Sequence, residues 1–154
     1  MQPEINKVYG GKVRVRTCGL CWRDDEILLV NHRGIGPGNW WAPPGGGLET
    51  GESVHQRIQR EFTEETGLTV SIEKFMFCCE FIRHPLHAIE LFFEVKITGG
   101  SLEVGQDPEL PIIEDVRFMS PKQISTLPID SLHGIFSLVR SAEELKTLSG
   151  FFTI

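Results

Sequence analysis

A three-layer α/β/α sandwich around a mixed central sheet is the fold that this sequence of 154 residues predicts. Strand-like runs come mostly in hairpin-spaced pairs, and helical segments interrupt or follow them. Helices placed between hairpins need both faces of one sheet to pack on. The composition, 40% hydrophobic and 23% charged, fits one globular domain over residues 1–154 with a core of its own.

The elements follow in chain order. Residues 12–22, KVRVRTCGLCW, alternate basic and apolar side chains and read as a strand. The charged turn at residues 23–26 leads to a short apolar strand at 27–31, so the two runs form a hairpin. Residues 34–39, GIGPGN, are a loop. After a helix discussed below, residues 68–83 carry strand character until the HPLH break at 84–87. Residues 88–98 are another strand, ended by Gly99 and Gly100. Residues 101–111 form a loop rich in acids and proline, and 115–119 are predicted to be the last strand. Ser120 and Pro121 open a short helix. Asp130 or Ser131 is predicted to cap a second helix running to about residue 148.

Residues 46–68, GGLETGESVHQRIQREFTEETGL, hold the most informative stretch. Thr50 and Ser53 offer capping side chains, Glu52 an acidic first turn and Gly67 a C-terminal stop. Between them lies a helix of roughly four turns. Val54, Ile58 and Phe62, spaced i, i+4, i+8, form its buried stripe. At about 100° per residue, Glu61 and Glu65 fall within about 20° of Val54, and Glu64 lies about 80° away on the same side. A solvated charge run would set its acids opposite the stripe. Carboxylates at i, i+3 and i+4 repel one another, and late in a helix the dipole disfavours them. Facing inward they need a positive partner, and a hard divalent cation with oxygen ligands meets that need.

The same residues spell G-x5-E-x7-R-E-φ-x-E-E-x-G-φ, where φ is apolar, with Gly46, Glu52, Arg60, Glu61, Phe62, Glu64, Glu65, Gly67 and Leu68 filling every specified place. This resembles the signature box of the Nudix hydrolases, which cleave nucleoside diphosphates linked to another group. Upstream, Trp41-Ala42-Pro43-Pro44-Gly45-Gly46 looks like the family's W-x-x-P-G-G entry, with Pro43 standing where a larger apolar residue is usual. The resemblance implies the Nudix-type version of the sandwich. It implies Mg²⁺ or Mn²⁺ as cofactor, held by Glu61, Glu64 and Glu65 with a carbonyl of Gly45 or Gly46. Arg60, next to Glu61, would orient the matching glutamate through its guanidinium. Glu64 or Glu65 is the expected general base, with Glu103, Glu109 and Glu114 as loop alternatives.

Arg14, Arg16 and Arg33 are candidates to meet phosphates, the first two sharing one sheet face. Trp40 and Phe81 are candidates to stack on a base or sugar, Trp41 is expected in the core, and His84 and His87 read as solvated loop side chains. The reaction implied is hydrolysis of a diphosphate linkage in a nucleoside diphosphate derivative of the ADP-ribose or nucleotide-sugar type. The alternatives are a nucleoside triphosphate pyrophosphohydrolase and a sensing module without catalysis.

The net charge of −6 and the lack of a basic tract argue against long nucleic acid as a partner, leaving a small phosphorylated molecule. No apolar run approaches membrane-spanning length, and the first residues lack the apolar core of a signal peptide, so the expected location is cytoplasmic. Cys18 and Cys21 lie in one strand-like run and the adjacent Cys78 and Cys79 in another. They read as strand thiols rather than a zinc site, because adjacent strand residues face opposite ways. A homodimer is the oligomer the family suggests. The apolar tail at 151–154 either joins such an interface or folds back on its own core.

Overall fold

The computed structural model describes residues 3–108 and 110–154. A short helix, α1 (Pro3–Tyr9), leads into β1 (Val13–Arg23). β1 turns back into β2 (Glu26–His32) through Asp24, whose φ of 56° is a left-handed conformation that aspartate tolerates in tight turns. Two three-residue strands follow, β3 (Trp40–Ala42) and β4 (Gly45–Gly47), and then the helix α2 (Val54–Thr66). The long hairpin of β5 (Leu68–Arg83) and β6 (Leu86–Gly100) comes next, then β7 (Ile113–Met119), α3 (Pro121–Ser125) and β8 (Gly150–Thr153).

The strands form a mixed sheet in the order β3-β2-β1-β6-β5-β8, with β4 on β1 and β7 on β2. β1 runs parallel to β6 and β8 parallel to β5, while the other pairs are antiparallel. Strand alternation sorts neighbours onto opposite faces. Cys21 and Leu28 join one core with Ile58 and Phe62 of α2. Leu20 and Leu29 join the other, with Ile124 of α3 and Leu132, Ile135 and Leu145 beyond it. Helical layers on both faces complete the α/β/α arrangement.

Of the two capping side chains offered to α2, Thr50 and Ser53, the second is used. Ser53 is its cap, in a reciprocal capping box with Gln56 (3.2 and 3.0 Å), and Gly67 closes it at φ 73°. Glu52 therefore precedes the cap, and the first turn holds no acid.

The C-terminal third departs from expectation. Only α3 is an α-helix; the predicted helix from 130 or 131 to 148 is replaced by 3-10 turns at Ile129–Ser131, Gly134–Leu138 and Ala142–Thr147. Leu132, Val139 and Ser141 are extended between them. The His133 N–H donates to the Trp41 carbonyl at 2.8 Å, and Leu132 bridges Trp41, so the segment is pinned to the sheet where a continuous helix would peel away. β7 is not the last strand either. β8 adds to β5, Phe152 packs into the core and Phe151 stays exposed, so the tail folds on its own sheet.

The four thiols lie on β1 and β5, with Cys18, Cys21 and Cys79 buried and Cys78 half-buried. Burial pushes the Cys21 thiol up to about 11 and Cys79 up to about 12, away from reactive thiolates.

Candidate active site

The C-terminal half of α2 lies against β4, and this juxtaposition builds the site. The Gly45 N–H donates to Glu65 at 3.2 Å. A side chain at Gly46 would collide with the Glu61 carboxylate and the Arg57 guanidinium, so only glycine allows this approach. The loop after β6 then caps the open end of α2. N–H groups of Glu103, Gly105 and Gln106 donate to the carbonyls of Thr66, Glu65 and Glu64 at 2.9, 2.9 and 3.1 Å. That capping carries Asp107 toward the acids, where the Tyr9 hydroxyl of α1 donates to it at 2.9 Å.

Glu61 and Glu65 are each 1% exposed, as their angular positions on the helix predict. Oε1 of Glu61 pairs with Arg57, while its Oε2 and Oε2 of Glu64 are buried without a donor. Burial, then the charges of Asp107 and Glu64, push the Glu61 carboxyl up to about 8. Burial and the Glu61 charge hold Glu65 well above the usual carboxylate range, and burial raises Glu64. Arg60 departs from the role expected for it. Its guanidinium forks onto Glu52 at 2.8 and 3.1 Å and comes within 3.5 Å of Glu64, leaving Glu61 to Arg57. Among the described residues, no three His, Cys, Asp or Glu side chains converge on an ion position as they stand, because Arg57, Arg60 and the Gly45 N–H each hold one acid. Their chemistry still fits a hard cation. The ligand atoms are all oxygens, and two of the carboxylate oxygens, Oε2 of Glu61 and Oε2 of Glu64, are buried with no donor.

A cleft opens beside these acids, lined by Arg14, Arg16, Gly45, Gly46, Glu65 and Asp107 and walled by His32, Trp40 and Phe81. Arg14 and Arg16 thus reach the cleft together, as their two-residue spacing predicts. Trp40 lines it while only 3% exposed, with ring centres 6.2 Å from Phe81 and 5.7 Å from His32. Burial, followed by the Arg16 charge, lowers His32 to about 4, so it is a neutral imidazole.

Arg33 does not join them. Its guanidinium donates to the Pro111 carbonyl at 2.8 Å and borders a separate depression with Glu114. Trp41 is in the core, under the Arg117 guanidinium. His87 also lines the cleft, paired with Glu80 at 3.0 Å, so the solvated-loop reading does not hold for it. Among the alternative bases, Glu103 is exposed above the Gly67 turn and Glu114 is exposed on β7; Glu109 lies outside the described residues. Asp107 is the loop acid that faces the cleft, and its sequence setting shows nothing to single it out. Glu90 and His133, buried beneath the cleft, were also missed. Glu90 did leave one trace, a charge inside the apolar run AIELFFEV.

Comparison with known proteins bears on this geometry. The family description for the NUDIX domain matches residues 12–138. The ADP-ribose pyrophosphatase of Methanocaldococcus jannaschii is 33% identical over 91 residues, 58% of this chain and 54% of that protein. The nucleoside triphosphatase NudI of Salmonella heidelberg is 42% identical over 57 residues, 35% of this chain and 40% of that one. The chain thus spans about half the length, or less, of these curated relatives. Among solved structures, a NUDIX hydrolase from Nitrosomonas europaea superposes with a TM-score of 0.65 at 24% identity, covering 75% of this chain and 77% of its own.

Proposed function

The chain belongs to the NUDIX domain family, and from that premise we propose that it is a divalent-metal-dependent pyrophosphohydrolase that cuts the diphosphate linkage of a nucleoside diphosphate derivative. The substrate class is of the ADP-ribose or nucleotide-sugar type. The observation that carries this reading is the set of buried, donorless carboxylate oxygens on α2, beside a cleft with two arginines.

Glu61, Glu64 and Glu65, with a carbonyl of Gly45 or Gly46, would hold Mg²⁺ or Mn²⁺. When bound, the ion supplies positive charge against the diphosphate oxygens and a lowered pKa for coordinated water. The residues of the chain do the rest. Arg14 and Arg16 bind phosphate oxygens, and Trp40 and Phe81 flank the base or sugar. Glu64 or Glu65 accepts the proton of the attacking water. Arg60 holds Glu64 and Glu52 from outside the cleft. The likeness to the M. jannaschii pyrophosphatase supports the substrate class, while the likeness to NudI favours a second reading, release of pyrophosphate from a nucleoside triphosphate.

The test is turnover on a panel of ADP-ribose, nucleoside diphosphate sugars, dinucleoside polyphosphates and nucleoside triphosphates, each with Mg²⁺, Mn²⁺ or chelator. Metal-dependent formation of two monophosphates is the expected result; pyrophosphate as product would establish the second reading, and no turnover at all would remove both. Gly46→Ala, which drives a methyl into Glu61 and Arg57, is expected to lower kcat/KM on the active substrate by about tenfold or more, roughly the effect of a small displacement at a reacting centre. Unchanged kcat/KM would show that the close packing of Gly46 is not needed.

A further inference from the structure

Arg16 reaches the cleft from β1, and what holds it is a buried group on the same face of the sheet. Its Nη1 donates to Glu90 at 2.7 Å, directly across the β1–β6 pair, and its Nη2 lies 3.4 Å from the Gly45 carbonyl. The Arg16 side chain is 18% exposed and that of Glu90 0%. The second oxygen of Glu90 faces Nε2 of His133 at 2.9 Å, and the His133 side chain is 1% exposed. His133 comes from the pinned C-terminal segment and stacks on Phe81 with ring centres 5.4 Å apart.

The proton on His133 can be placed from its partners. Its Nδ1 accepts the Ile135 N–H at 3.3 Å, so Nε2 carries the hydrogen and donates to Glu90. Arg16 and His133 therefore donate to different oxygens of Glu90, with the Cys18 thiol a weaker donor at 3.8 Å on the Arg16 side, and only a carboxylate accepts at both oxygens. Burial acts to raise the Glu90 carboxyl, but His133 and Arg16 outweigh it and hold the group below its ordinary value.

We propose that Glu90 and His133 are positioning residues that lock the Arg16 guanidinium in the cleft to receive the diphosphate oxygens of the substrate. This rests on the pyrophosphohydrolase reading of the site. The lock also ties Arg16 to both flanks of the cleft, to Gly45 beside the acids and, through His133, to the Phe81 wall. Glutamine at 90 cannot satisfy both donors, because its amide N–H₂ confronts either Arg16 or His133. Glutamine at 133 can still donate to Glu90. When both positions are glutamine, each amide can turn to restore a donor–acceptor chain ending on Arg16.

The test is calorimetric affinity for α,β-methylene-ADP with Mg²⁺, alongside melting temperature, for wild type, Glu90→Gln, His133→Gln and the double variant. Glu90→Gln is expected to weaken binding about tenfold, the scale of one buried donor left unpaired. His133→Gln is expected to stay within about threefold of wild type, and the double variant to recover most of the loss. Unchanged affinity in Glu90→Gln, or a double variant no tighter than that single one, overturns the proposal, even if melting temperatures move. An active wild type with an unaffected Glu90→Gln variant overturns the positioning role alone. A wild type that neither binds the analogue nor turns over any substrate overturns the reading beneath it as well.

Discussion

Glu65→Gln is expected to lower kcat about a thousandfold at saturating Mg²⁺, roughly 4 kcal/mol of lost transition-state stabilisation, while the metal-free protein melts no lower than wild type. The two halves of this result have one physical origin. Glu65 is 1% exposed, and burial together with the neighbouring Glu61 charge holds its carboxyl far above the usual range. Without a cation, its negative charge is a liability to the fold. Glutamine keeps the shape and can still accept the Gly45 N–H, but it removes the charge that a cation or a proton-accepting step needs. Turnover and melting temperature measured on the same preparation separate the roles. Unchanged kcat would sink the assignment of Glu65, and a large drop in melting temperature would show that its charge serves the fold.

The second large effect is in the metal-free protein, which is expected to lose stability as pH rises from about 6.5 to about 8. The Glu61 carboxyl stands at about 8 when folded against an ordinary value of 4.5. Between those values the folded state binds the extra proton, so the unfolding free energy falls with rising pH. The contribution is fully present below the unfolded value and is lost as pH passes the folded one. Glu64 and Glu65, also raised, act in the same direction. His32 opposes them lower down. Its imidazole, lowered from 6.5 to about 4, lets stability rise with pH across that interval, which is why the decline is clean only above it. The loss is expected to be on the order of a few kcal/mol across the window. Urea unfolding with chelator at pH 6.5, 7.2 and 8 measures it. Mg²⁺, which binds the deprotonated acids, is expected to reverse the trend, and Glu61→Gln to make it shallower, with Glu64 and Glu65 carrying what remains. A level metal-free profile for wild type would mean that the Arg57 ion pair keeps Glu61 charged across the window.

Local patterns made much of the molecule legible. The bounds of β5, the cap at Gly67 and the short helix after Ser120 all follow from residues within a few positions of one another. The burial of Glu61 and Glu65 follows from helical angle alone, and the meeting of Arg14 and Arg16 from strand alternation. Arg60 shows where such reasoning stops. Sequence adjacency pointed it at Glu61, but neighbours on a helix point about 100° apart, and Arg57, one turn back, is the residue that lies over Glu61. Arg33 likewise looked equivalent to Arg14 and Arg16 until the loop carrying Pro111 gave its guanidinium another partner.

The nature of the acidic helix, its glycine-flanked entry and the mixed sheet that supports them were set within the linear sequence, because periodicity and capping are short-range. Three assignments depended on chain segments meeting in space. Asp107 faces the acids because its loop caps α2, His133 reaches Glu90 because its segment is pinned to Trp41, and the tail becomes β8 because β5 offers an open edge. Each of these contacts joins residues many positions apart, and their partners are set by the unsatisfied carbonyls, N–H groups and charges that the completed fold leaves in reach.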